Sequence, residues 1–124
     1  MNKNPYDVLA DWLDGEARAL CGMEAQAHKA LYDDKDESAY RELMRQRAMR
    51  LADLAENCDP LVSGLAKKDR LAVEKRVGRF SSSASQSLEI GSVFYMSALL
   101  YPEDYVQGDK NDLEVFAVQV RSLK

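Results

Sequence analysis

The stretch NPYDVLADWLDGEARALCGMEAQAHKALY, residues 4–32, decides the fold class. Asn4 followed by Pro5 is a helix start, because the asparagine side chain can accept from an orphan amide and the proline ring presets the first helical φ. Beyond it Leu9, Leu13, Ala17, Leu20, Ala27 and Leu31 recur at helical steps and share one face, with Trp12 and Met23 at its edge. The spacing predicts an α-helix from Pro5 to about Tyr32.

The acidic cluster Asp33, Asp34, Asp36 and Glu37 then interrupts the pattern, and Asp36 or Ser38 can cap a second helix. Tyr40, Leu43, Met44, Leu51, Leu54 and Cys58 form its stripe, which should end near Asn57. A short connection favours antiparallel neighbours, so the two helices are expected to form a hairpin. Asp59 and Pro60 repeat the cap-plus-proline signal, and Val62, Leu65, Ala66, Val73, Val77 and Phe80 continue at helical steps. The stripe keeps phase across the serines of 81–87 and resumes with Ala84, Leu88, Gly91, Phe94, Tyr95, Ala98 and Leu99. One helix from Pro60 to Leu100 would be about 60 Å long. A break is therefore expected near Ser82, where Ser81 to Ser83 supply capping side chains.

Tyr101 to Asn111, with Pro102 and Gly108, reads as a loop. Leu113, Phe116, Ala117 and Val120 fit a last helix capped by Asn111 or Asp112. Val115, Val118 and Val120 also suit a strand, but a lone strand would have no partner in this chain. The pattern predicts an all-α bundle of four or five helices, opened by an antiparallel helical hairpin, in a single domain spanning 1–124.

Composition restricts the function classes. With 46% hydrophobic and 31% charged residues the chain is neither disordered nor membrane-embedded. Its longest uncharged, largely apolar run, Ile90 to Tyr101, is too short to span a bilayer, so no membrane partner is expected. Met1 to Pro5 precede Asp7 and Asp11 with no apolar leader, and a cytoplasmic location is the expectation. Net charge is −4, but residues 41–79 hold ten Lys and Arg against six acids, while the rest hold seven against fifteen. A basic middle between acidic ends suits self-association or an acidic partner. It also admits weak nucleic-acid binding through 41–79, a reading that the interspersed Asp53, Glu56, Asp59, Asp69 and Glu74 argue against.

Residue types that carry chemistry are scarce. Two cysteines and one histidine are too few for an ordinary structural zinc site, and no cofactor motif is present. If the first two helices pair about a turn near Asp34, Cys21 faces Ala48 and Cys58 faces Asp11. That offset of roughly 15 Å excludes a disulfide without rearrangement. The same pairing brings Asp11 and Asp14 level with Asp53 and Glu56, a pattern some helical hydrolases use to hold Mg²⁺. Both pairs point away from their apolar stripes, so solvated surface is the expectation. His28 lies at the edge of its stripe with no nucleophile near in sequence, and the serines lack a nucleophile elbow. No catalytic residue is assigned. Gly64, Gly78 and Gly91 read as points of close packing.

Charges inside apolar stripes are rarer. Glu16 and Glu24 fall on the first helix's apolar face and Arg47 on the second's, and hairpin register makes a Glu24–Arg47 ion pair easy. Arg50 and Arg76 are the candidates for Glu16. Such a layer can fix helix register, and Glu16 and Arg47 should then outweigh other charges in stability. It can also line a ligand pocket inside a bundle, which makes Glu16, Glu24 and Arg47 candidate ligand-binding residues. Trp12, Tyr95, Tyr101 and Tyr105, together with Tyr6, are candidate interface anchors. The leading functional expectation is a non-enzymatic, self-associating helical interaction protein. A small-ligand-binding or hydrolytic bundle with an acidic pocket is the alternative.

Overall fold

Asn4 caps the first helix through its side chain, which accepts from the Tyr6 N–H at 2.8 Å, and Pro5 takes the first helical position. In the computed structural model, which describes residues 4–124, the described residues form six helices and no strand. These are α1 (Pro5–Tyr32), α2 (Glu37–Ala52), α3 (Leu54–Val62), α4 (Lys67–Ile90), α5 (Val93–Ala98) and α6 (Asp112–Ser122). The reading of Met1 to Lys3 as lacking a leader lies outside the described residues. The fold is an all-α bundle, with five longer helices and the six-residue α5 set into the connection between α4 and α6.

Helices α1 and α2 form the expected hairpin. Asp36 is its cap, accepting from the Ala39 N–H at 3.0 Å. The ion pairs across it, Glu24 to Arg47 and Glu16 to Arg50, run in opposite sequence directions, as antiparallel helices require. Helix α6 packs on the other side of α1, and α4 packs on α2 and α3. Leu9, Leu13 and Leu20 of α1 are fully buried with Leu51, Val73, Val77 and Leu113. A smaller cluster of Ala27, Met44, Ala48 and Met96 seats α5 against the far end of the hairpin.

Three expectations about the middle of the chain are corrected. The second helix stops at Ala52 rather than near Asn57, and Pro60 lies inside α3 instead of opening a helix. Ser81 supplies the reason for the first. Its hydroxyl donates to the Leu51 carbonyl at 3.1 Å and accepts from the Ala55 N–H at 2.9 Å, so it satisfies backbone groups freed at the α2–α3 junction. For the same reason no break occurs near Ser82. Ser81 is buried against the neighbouring chain segment, and the Ser87 hydroxyl donates to its own Ala84 carbonyl at 2.7 Å, so neither caps a new helix.

Compactness comes from reversals at the two ends of α4. At its start Ala66 offers no side-chain cap, and the Tyr6 hydroxyl of α1 accepts from the Ala66 N–H while donating to Asp69. Gly64 passes close to Pro5, where an added Cβ would sit 3.0 Å from the proline ring. At its end Gly91 takes φ +73° and its N–H and that of Ser92 return to the Ser87 carbonyl, which turns the chain sharply. Gly78 has open space around it and marks no close contact. The last helix opens on a reciprocal cap between Asn111 and Glu114, each side chain bonded to the other's backbone N–H at 2.9 Å.

Candidate functional site

Two features could carry function: a buried polar layer between α1, α2 and α5, and a groove beside it. Arg47, 1% exposed, is the centre of the layer. Its Nη1 donates to the Met96 carbonyl at 3.0 Å and its Nη2 to the Leu99 carbonyl at 3.1 Å, so it holds the orphan end of α5. Nη2 also lies 3.4 Å from Glu24 Oε2, which accepts from the Tyr101 hydroxyl at 2.7 Å. Burial first, and the bond to the Glu24 carboxylate second, push the Tyr101 hydroxyl pKa well above its ordinary value. Arg47 Nε is buried without a hydrogen-bond partner.

Glu16 stands apart from this layer. It is held by Arg50, whose Nε donates to Oε2 at 2.7 Å, and it sits about 12 Å along α1 from Glu24. Glu24 and Arg47 are thus brought together, while the three candidate ligand residues do not converge on one space. Their polar atoms are largely engaged by the protein itself.

Asp11 and Asp14, expected as solvated surface, instead clamp α6. Each accepts from Arg121 Nη2 at 2.7 Å, which holds the Arg121 pKa above its ordinary value, and Lys124 bonds Asp7 at 2.8 Å. Asp53 and Glu56 are exposed. Among the described residues no group of three or more His, Cys, Asp or Glu side chains is placed to hold a metal ion. His28 is exposed, with its ring edge-on to Tyr32. Cys21 and Cys58 are free thiols. Cys21 is exposed, and burial pushes Cys58 up to about 11.

The groove has a volume of about 480 Å³ and lies between the second half of α4 and the segment from α5 to Tyr101. Arg76, Arg79, Ser83, Gln86 and Ile90 of α4 make one wall, Tyr95 and Leu99 face them, and the buried Leu51, Phe80 and Leu100 lie beneath. Leu100 takes φ +75°, a strained conformation for a side-chain-bearing residue, held by its burial and by the Asp112 N–H on its carbonyl at 2.9 Å. The Arg76 guanidinium stacks on Phe80 at 4.5 Å. Beside the groove Ile90, Phe94 and Tyr95 are 66%, 74% and 54% exposed.

Of the four candidate interface aromatics only Tyr95 stands exposed. Trp12 packs on the core, and Tyr101 and Tyr105 meet edge to face at 4.7 Å, with the Tyr105 hydroxyl bonded to the Asp109 carbonyl. The helical stripe read from the sequence places Phe94, like Tyr95, toward the core, whereas both stand exposed with Ile90 beside them. The signal was Gly91: a left-handed residue there resets the phase of everything after it. No family model, curated protein or solved structure matches the chain.

Proposed function

We propose that this chain is a non-enzymatic helical interaction protein that associates with itself through the face formed by the second half of α4 and by α5. The observation that carries the reading is the exposure of Ile90, Phe94 and Tyr95 beside an apolar groove. Adjacent large apolar side chains left in water are disfavoured, and aromatic residues next to a concave apolar surface are what interface centres contain. Knob and groove occupy one face, so two copies related by a two-fold axis can each fill the other. A cytoplasmic, reducing setting belongs to this reading, because it keeps both cysteines as thiols.

An enzyme or ligand-binding pocket built on Glu16, Glu24 and Arg47 has less support, since these groups are consumed by Arg50, Tyr101 and the end of α5. Nucleic-acid binding has less still. Arg41, Arg45, Arg50 and Arg70 of the basic segment are ion-paired within the chain and Arg47 is buried.

Sedimentation equilibrium tests the proposal. The wild-type chain should shift from 14.0 kDa toward twice that mass by tens of micromolar. Phe94→Ser should raise the dissociation constant about tenfold or more without lowering the melting temperature. A wild-type monomer throughout would contradict it.

A further inference from the structure

The exposed side of α4 is ordered along its length in a way that specifies how a second copy would sit. Positions 75, 79, 82, 86 and 89 fall on one stripe and 76, 79, 83, 86 and 90 on its neighbour, both at alternating three- and four-residue steps. The first half carries Lys75, Arg76 and Arg79, the middle carries Ser82 and Ser83, and the end carries Glu89 and Ile90. Among the described residues none of Lys75, Arg76, Arg79 and Glu89 is in an ion pair, although α4 places Arg70 and Glu74 in one. Four charges are thus unmatched on a face that also bears the groove.

Resting on the self-association reading, we infer that the occupant of the groove is α4 of a second copy, lying antiparallel to the first about a two-fold axis beside Ser82 and Ser83. This arrangement sets Lys75 of each copy against Glu89 of the other, and Arg76, whose guanidinium stacks on Phe80, against Ile90. Leu71, exposed one turn before Lys75, falls toward the Phe94 end of the second copy. Serines at the crossing let the helix axes approach closely, to about 8 Å. A parallel arrangement would put the three cations of one copy against those of the other. The antiparallel one pairs Lys75 with Glu89 and Leu71 with the Phe94 end, and sets Arg79 opposite the uncharged Gln86.

The test is a cysteine at the crossing. With Cys21→Ser in place and the buried Cys58 retained, Ser83→Cys should form a covalent dimer on mild oxidation, because the two-fold brings the paired Cα atoms within roughly 7 Å. Gln119→Cys, on the exposed side of α6, should not. Independently, Lys75→Glu and Glu89→Lys should each weaken dimerisation roughly tenfold, since symmetry makes two repulsive pairs from each, and the double variant should restore it. A dimer by mass that fails to cross-link through residue 83, or whose double variant is no tighter than the singles, overturns the antiparallel pairing and leaves self-association standing. A chain that stays monomeric at every concentration overturns both.

Discussion

Arg47 illustrates how one side chain can determine the arrangement of three elements. It rises from α2, pairs with the partly buried Glu24 of α1 and closes the carbonyl end of α5, with its own side chain 1% exposed. Removing one partner of a buried pair typically costs about 3–5 kcal/mol, since it strands the other charge, so Arg47→Ala should lower the unfolding free energy by that order, read as a lower denaturant midpoint. Glu16→Ala should cost less, about 1–2 kcal/mol, because its partner Arg50 is half exposed and screened. Glu103→Ala, at an exposed loop position, is the comparison. Equal midpoints for the Arg47 and Glu103 variants would show that the layer is not desolvated. The thiol of Cys58 supplies a pH dependence. Its pKa rises from 9.0 to about 11 on folding, so the folded state holds its proton more tightly, and stability present below pH 9 is lost as pH rises toward 11. That difference corresponds to roughly 2–3 kcal/mol. Urea titrations from pH 8 to 11 should show that decline, and Cys58→Ala should reduce it, leaving Cys21 to contribute above pH 9 and Tyr6, Tyr40 and Tyr101 above pH 10.

At the scale of elements, α4 separates what the sequence discloses from what it hides. Residues 4–32 disclosed α1 to its ends, because cap, proline and stripe agree there, and Asp36 and Asn111, each one of two caps the sequence offers, disclosed the starts of α2 and α6 but not the end of α2. The Glu24–Arg47 pair was legible too, since hairpin register alone sets its level. The serines of 81–87 were not legible. A serine that caps its own helix and one that reaches across to another have the same local sequence, and only the packing of α4 on the α2–α3 junction distinguishes them. Ser81→Ala should therefore cost about 1–3 kcal/mol through the unpaired Leu51 and Ala55 backbone groups. Ser82→Ala, exposed and without such bonds, should be near neutral; equal costs would return Ser81 to an ordinary helix-surface role. The exposed aromatics were hidden for a related reason. Phase counting carried Phe94 into the core across Gly91, whereas the left-handed turn there starts a new helix with its own phase.

Across the whole molecule, no helix among the described residues is long and apolar enough to cross a membrane. Charge is the other global property: the net balance is −4, and ion pairs tie α1 to α2 and α6 to α1. Filter binding to duplex or single-stranded nucleic acid at physiological salt should accordingly be weak and non-specific, with a shallow salt slope. Tight binding that Arg70→Ala and Lys75→Ala abolish would displace the interaction reading. Lys75, Arg76, Arg79 and Glu89 of α4 are among the charges left outside ion pairs, and they lie on the side of α4 that borders the groove and the exposed Ile90, Phe94 and Tyr95. Hydrogen exchange of the wild-type chain at low and at high concentration tests most directly whether that face is the one that associates. Slower exchange at high concentration confined to residues 75–98 is the predicted result; a doubled mass with unchanged exchange there, or with protection appearing on α6 or the α1–α2 turn instead, would contradict it.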